Sequence, residues 1–375
     1  MRRILPVVLA LVLALPVSAH CAEAAPQVRL RHLDLAGPAA SPQSQLSGLA
    51  WHGDELLLLP QFLDFMPRPQ EEAAGEKSDT PGRTSPRIFA IDRAQIVEVL
   101  QSGTPTPIMP REIPVDGPDF RKRIPGYEGF EAIAVQGDSV FLLIESRPVR
   151  SKPEMRGFLV SGELTNGRLV LNDPAAELTP PAELANMCYE SAFILGDTVW
   201  ALYEANGANV NPAPAALRFA LDGTPLDPAP FPHVEYRITD VTAVDKDGGF
   251  WAVNFYWPGE RKLLKPAEDE IGARWGSPAG STGDHAGVER LLRCRLTPSA
   301  EKAEAIALAD EPPVNLEPSL LPSNWEGAAE IAFDLNGHTV HGLLLVTDTY
   351  PVTRFAFAPL DQEQGGEVHT GDVSQ

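Results

Sequence analysis

Acidic side chains recur in this chain at the starts of short apolar stretches. Glu128 and Glu131 lie in Tyr127-Glu-Gly-Phe-Glu-Ala-Ile-Ala-Val135, Glu190 in Tyr189-Glu-Ser-Ala-Phe-Ile194, Asp240 in Ile238-Thr-Asp-Val-Thr-Ala243, and Glu326 and Glu330 in Trp325-Glu-Gly-Ala-Ala-Glu330. Ser47 holds the same place in Leu46-Ser-Gly-Leu-Ala-Trp51. A second polar set, Gln61, Glu145, Glu204, Asn254 and Asp348, ends the apolar run that follows each start. Carboxylates gathered within a few ångströms cannot all stay ionised unless something positive sits among them. Oxygen donors without nearby His or Cys suit Ca²⁺, which takes roughly six to eight oxygens. Glu131, Glu190, Asp240, Glu326 and Asp348 are the expected calcium ligands, Glu190, Glu145 and Glu204 the expected catalytic carboxylates, and Arg147 and Arg237 the expected holders of an anionic substrate. The alternative is structural: each carboxylate caps backbone amides of the next unit or pairs with Arg121, Lys122, Arg123, Arg147 or Arg237.

Such residues need a scaffold that repeats. Each start leads to a turn, at Gly53-Asp54, Gly137-Asp138, Gly196-Asp197, Asp247-Gly248 or Asn336-Gly337, and then to the second apolar run. Gly, Asn and Asp tolerate positive φ, so these are hairpin turns. Five look-alike hairpins predict an all-β chain, a β-propeller of five four-stranded blades, with six blades as the alternative. The innermost strand of a blade begins at the rim to which its partner returns, so both polar sets share one channel mouth. The third unit is expected to end in strands Ala215 to Leu221 and His233 to Arg237, and Ala94 to Gln101 to form a short helix. The fifth unit shows three strands. Val28 to Leu35, which alternates apolar and charged residues, is expected to supply its fourth and close the ring.

The 375 residues carry a formal charge of −21, a surface that repels nucleic acid and anionic lipid. Arg2 and Arg3, the apolar run Ile4 to Val17 and the small residues of Val17-Ser18-Ala19 predict a cleaved secretion signal within residues 1–25. That places the mature protein in the periplasm or outside the cell, with no membrane span. Residues 26–360 are expected to form one propeller domain with loop insertions at 62–86 and 257–287, and 361–375 a flexible tail. Cys188 and Cys294 are free to bridge or to stay reduced in such a compartment. His338 and His341 flank a hairpin and are expected to be solvent-exposed or structural, and His52, which follows an innermost strand on the turn side, to be structural. The chain has no Gly-x-Ser-x-Gly, His-Glu-x-x-His, Cys-x-x-Cys or P-loop motif.

The ordered set Leu46-Ser47-Gly48, Phe130-Glu131-Ala132, Tyr189-Glu190-Ser191, Thr239-Asp240 and Trp325-Glu326-Gly327, with partner ends Glu145, Glu204 and Asp348, resembles the extracytoplasmic propeller family with an esterase-like activity of phytase. The resemblance covers roughly residues 46 to 358 and departs at Asn254, where a Glu is commoner. It implies an exported propeller with esterase or phosphoesterase chemistry. Together with the acidic mouth, this predicts metal-assisted hydrolysis of a small-molecule phosphate or carboxylic ester, with calcium polarising the ester oxygen and a rim carboxylate activating water. The competing reading is a non-catalytic propeller that binds a partner or ligand through its two insertions.

Overall fold

A computed structural model describes residues 25–67, 84–276, 287–298, 304–317, 323–348 and 353–360. The expected secretion signal up to residue 24, the tail from 361, and residues 68–83 and 277–286 of the two insertions lie outside them.

The chain is all-β, and the five expected hairpins are its backbone. They pair Leu46–His52 with Glu55–Pro60, Tyr127–Gln136 with Ser139–Ser146, Tyr189–Leu195 with Thr198–Tyr203, Arg237–Val241 with Gly249–Tyr256, and Trp325–Leu335 with His338–Thr347. The second strands read as unbroken apolar runs, such as Leu56 to Leu59, because both of their faces are buried between neighbouring sheets. Gly53 and Gly137 adopt φ of 59° and 57° in their turns, a conformation that costs Gly nothing.

A third strand pairs with each hairpin: Arg87–Asp92, Arg156–Thr165, Ala215–Ala220, Val288–Pro298 and Phe355–Pro359. The fourth strands are Arg111–Asp116, Arg168–Leu178, Pro225–Pro230, Glu304–Leu308 and, for the last unit, Arg31–Leu33 from the amino-terminal end. The helix spans Arg93–Ser102.

Three expectations are corrected. The strand expected over Val28 to Leu35 is split: Gln27–Val28 pairs in parallel with Val314–Leu316 of the fourth unit, and only Arg31–Leu33 closes the fifth. The fourth strand of the third unit is Pro225–Pro230, since Arg237 already begins the next hairpin. The first and second units merge into one eight-stranded sheet through a short parallel contact, Leu169 opposite Val115 and Val170 opposite Asp116.

The five first strands touch in a closed cycle: each packs on the first strand of the next unit, and Trp325–Leu335 packs back on Leu46–His52. Five apolar clusters follow the same order. They fill the spaces between the first and second units, second and third, third and fourth, fourth and fifth, and fifth and first. Near the centre of such a ring backbones approach closely, which accounts for the Ser-Gly and Glu-Gly starts. A Cβ on Gly48 would lie 3.0 Å from Cγ2 of Ile133, and one on Gly327 3.1 Å from the carbonyl carbon of Gly48. Cys188 and Cys294 are buried free thiols in two different clusters. Among the described residues no helix is long and apolar enough to cross a membrane.

Candidate active site at the channel mouth

A β-bulge interrupts every one of the five hairpins near the start of its first strand. Ladder pairs flank one extra residue in each: Leu46–Pro60 and Gly48–Leu59 around Ser47, Phe130–Ile144 and Ala132–Leu143 around Glu131, Tyr189–Tyr203 and Ser191–Leu202 around Glu190, Ile238–Asn254 and Asp240–Val253 around Thr239, and Trp325–Thr347 and Gly327–Val346 around Glu326. A second bulge in the Tyr127–Gln136 strand adds Glu128. Bulges re-aim side chains and leave them outside the ladder. Here they deliver Glu128, Glu131, Glu190 and Glu326 to one cavity of about 450 Å³, joined there by Glu145, Asp348, Arg121, Arg150 and Arg237.

Arg237 is the centre of this cluster. One terminal nitrogen, Nη2, reaches both oxygens of Glu190 at 3.1 and 3.0 Å and lies 3.9 Å from Oε1 of Glu326. Its Nε donates to Oε2 of Glu204 at 2.5 Å, and Nη1 sits 3.5 Å from Oε1 of Glu260. Burial works against the charge of this guanidinium, but Glu190, Glu204, Glu260 and Glu326 outweigh it and hold Arg237 protonated. The backbone beneath is also fixed. Asn254 Nδ2 donates to the Arg237 carbonyl at 2.9 Å, while its Oδ1 accepts from Arg290 Nε at 2.8 Å. Arg290, fully buried, is gripped by both oxygens of Asp269 at 2.7 and 2.9 Å.

One guanidinium cannot answer every acid around it. Burial, and after it the charges of Glu145 and Glu190, pushes Glu131 well above the usual carboxylate range, although Gln61 donates to its Oε1 at 3.1 Å. Burial and then the neighbouring Asp348 do the same to Glu326. Glu204 is raised by burial despite the opposing pull of Arg237. Glu145 is pushed up to about 8, first by burial and then by Glu190 and Glu128. The Oε1 of Glu145 and the Oε2 of Glu128 are buried with no hydrogen-bond partner.

Of the expected site residues, Glu131, Glu145, Glu190, Glu326, Asp348 and Arg237 meet at this mouth. The doubled glutamates are resolved by the bulges: Glu128 and Glu131 both face the cavity, whereas Glu330 instead pairs with Arg293 at 3.2 Å. Three placements are corrected. Asp240 does not reach the cavity, because the bulge in its strand is filled by Thr239; its Oδ2 instead accepts from the Ala328 amide at 2.7 Å, capping the next unit. Glu204 lies behind Arg237, fully buried, where its Oε1 accepts from the Cys188 amide at 2.8 Å. Arg147 does not line the mouth; its Nε donates to the Lys152 carbonyl at 3.2 Å, and Arg150 lines the cavity in its place.

Glu260, Asp269, Arg290 and Asn324, which lines the cavity with its Oδ1 3.5 Å from Nη1 of Arg237, carry no mark in the sequence. Glu260 and Asp269 sit in the inserted segment, which follows no repeat, and Arg290 reads as an ordinary outward residue of its strand. The Asn at 254 had a signal, its departure from the repeated acid, and its role is to couple Arg290 to the Arg237 backbone.

The arrangement does not fit the expected calcium ion. Glu190 is occupied by Arg237, Asp240 by a backbone amide, and among the described residues no three Asp, Glu, His or Cys side chains are grouped to hold one metal. No family model and no curated protein matches the chain. Similar solved structures include an α-L-arabinanase from Cellvibrio cellulosa (11% identity over 85% of this chain and 92% of that one, TM-score 0.40). A xylan β-1,4-xylosidase from Bacillus halodurans is 9% identical over 88% of this chain and 55% of that one, TM-score 0.42. A glucose dehydrogenase-type oxidoreductase from Thermus thermophilus is 10% identical over 89% of this chain and all of that one, TM-score 0.40. These are distant likenesses of shape, and the chemistry is read from the site alone.

Proposed function

We propose that this chain is an exported hydrolase, a five-bladed β-propeller that cleaves a carboxylic ester at its channel mouth by general acid–base chemistry. The observation that carries the proposal is the unequal pair Glu145 and Glu190. Glu145, pushed up to about 8, keeps its proton at neutral pH, while Glu190 is held through both oxygens by Arg237. Two carboxyl groups held in such different environments within one site can divide acid and base roles between them. In the proposed reaction Glu190 takes a proton from water as the water oxygen attacks the ester carbonyl carbon. Glu145 then gives its proton to the departing alkoxide as the carbon–oxygen bond breaks, and solvent returns the proton from Glu190 to Glu145. Arg237 orients Glu190 throughout.

The carboxylic ester is favoured over a phosphate ester on charge. A phosphate dianion would meet Glu128, Glu131, Glu145, Glu190, Glu326 and Asp348 against Arg121, Arg150 and Arg237, the last already engaged. No step runs through calcium. The resemblance to the phytase-like propellers supports hydrolysis, and Arg2, Arg3 and the apolar run to Val17 support export.

The test is turnover of p-nitrophenyl acetate beside p-nitrophenyl phosphate by the purified protein. The acetate is expected to be cleaved, and Glu145→Gln and Glu190→Gln each to lower kcat about 10²- to 10⁴-fold, the usual range for a lost acid or base. Absence of turnover on any ester, or turnover indifferent to both substitutions, would overturn the proposal in favour of a propeller that only binds.

A further inference from the structure

We infer that the channel mouth takes an organic ammonium group, the cationic part of the substrate. This deepens the hydrolase reading by naming a substrate class, and rests on that reading only in calling the ligand a substrate. Charge is the first ground. Glu128, Glu131, Glu145, Glu190, Glu326 and Asp348 crowd one cavity, where burial and mutual repulsion work against the charged forms of Glu131, Glu145 and Glu326, and a cation among them would favour those forms. Of the three arginines there, Arg237 is committed to Glu190 and Glu204, and Arg121 to Asp64 at 3.2 Å. Unmet hydrogen bonding is the second. Glu145 is only 5% exposed, yet its Oε1, like the Oε2 of Glu128, accepts from nothing. A buried acceptor left unpaired costs free energy that a donor restores, and a charged donor makes the stronger bond.

A hydroxyl group would satisfy these oxygens but supply no counter-charge to the crowded acids. A metal ion would neutralise the charge, but it needs several oxygens at one point, and the described acids are not grouped that way. An ammonium group donates and neutralises together, tolerates wider spacing, and fits with a carbon chain inside about 450 Å³. The aromatic rings beside the cavity already accept a cation: the Arg121 guanidinium lies 4.6 Å from the Phe62 ring centre and 5.2 Å from that of Tyr127.

The test is calorimetric binding of 5-amino-1-pentanol, 1,5-pentanediol and calcium chloride to the full chain at pH 7 and low salt. The amine is expected to bind at least about tenfold tighter than the diol, as a charge-assisted hydrogen bond allows, and to weaken as salt rises. Glu128→Gln should lose most of that preference, while Glu330→Gln, an acid outside the cavity, should keep it; this separates the mouth from general attraction to an acidic surface. Retained binding of the diol by the Glu128→Gln variant shows that its cavity is intact, and Glu128→Asp should restore part of the preference. Equal affinity for amine and diol, no binding of the amine, or binding of calcium in place of the amine would overturn the inference. Amine binding without ester turnover would sink the hydrolase reading alone, and turnover without amine preference would sink this inference alone.

Discussion

The two ends of the ring use the same residue types for opposite purposes. At the turn end, Gly53 and Gly137 have positive φ and open space around them, and the acids beside them form exposed pairs such as Asp54 with Arg93 at 3.6 Å and Asp138 with His52 at 3.2 Å. At the mouth, Gly48 and Gly327 are glycines because side chains and backbone of neighbouring strands occupy the space, and the acids are buried around one arginine. A turn-end contact is a single exposed pair, within a unit as for Asp54 with Arg93 or between neighbouring units as for Asp138 with His52. A residue at the mouth answers to the whole ring, since Arg237 of the fourth unit pairs with Glu190 and Glu204 of the third and approaches Glu326 of the fifth. Bulges make much of the difference, because the extra residues Glu128, Glu131, Glu190 and Glu326 bring the starts of the second, third and fifth units into one cluster.

Substitutions can break this contrast, and the largest effect is expected at its centre. Arg237→Met leaves Glu190 and Glu204 buried without their partner, which should cost about 3–5 kcal/mol in a urea unfolding series; a cost below about 1 kcal/mol would mean that the cluster is no more than a surface network. Next comes the pH dependence of stability. The folded proton affinity of Glu145, about 8, lies above its ordinary value of 4.5, so the favourable contribution is complete below pH 4.5 and is lost as pH rises through about 8. Glu145→Gln should therefore flatten the fall in stability between about pH 5 and 8, and an unchanged slope would place the titration elsewhere. Smaller again, Gly327→Ala brings a Cβ to 2.5 Å from Cγ2 of Val346 and should cost about 1–3 kcal/mol, as overpacking does. Gly53→Asn, at φ 59° in open space, should cost less than about 1 kcal/mol. The smallest effect belongs to Asp138→Asn, whose exposed pair with His52 should contribute below about 0.5 kcal/mol. If the two glycines gave equal costs, the contrast between the ends would fail.

Much of this was legible in the sequence because repeated local signals carry it. The five turns and apolar runs marked the hairpins, and the acids at both strand ends marked the mouth. The error at Asp240 is instructive. Counting back from the turn selects Asp240, but the ladder slips between Ile238 and Asp240, so Thr239 takes the bulge and the acid next to it faces the Ala328 amide. A bulge is invisible in a pattern of residue types, since it changes register without changing composition. The same limit explains the calcium expectation. Counting acids finds the crowding, but only the folded ring shows that Arg237, which was expected to hold substrate, is spent on Glu190 and Glu204, and that Asp240 faces a backbone amide. Glu260, Asp269 and Arg290 were out of reach for another reason: they act through contacts between an insertion and the ring, and no repeat marks them.

The account stands most directly on the proton held by Glu145. Carboxyl ¹³C NMR of the wild-type chain, with Glu145→Gln used to assign the resonance, should show Glu145 titrating near pH 8. A midpoint near 4.5, the ordinary glutamate value, would contradict both the buried cluster and the acid role built on it.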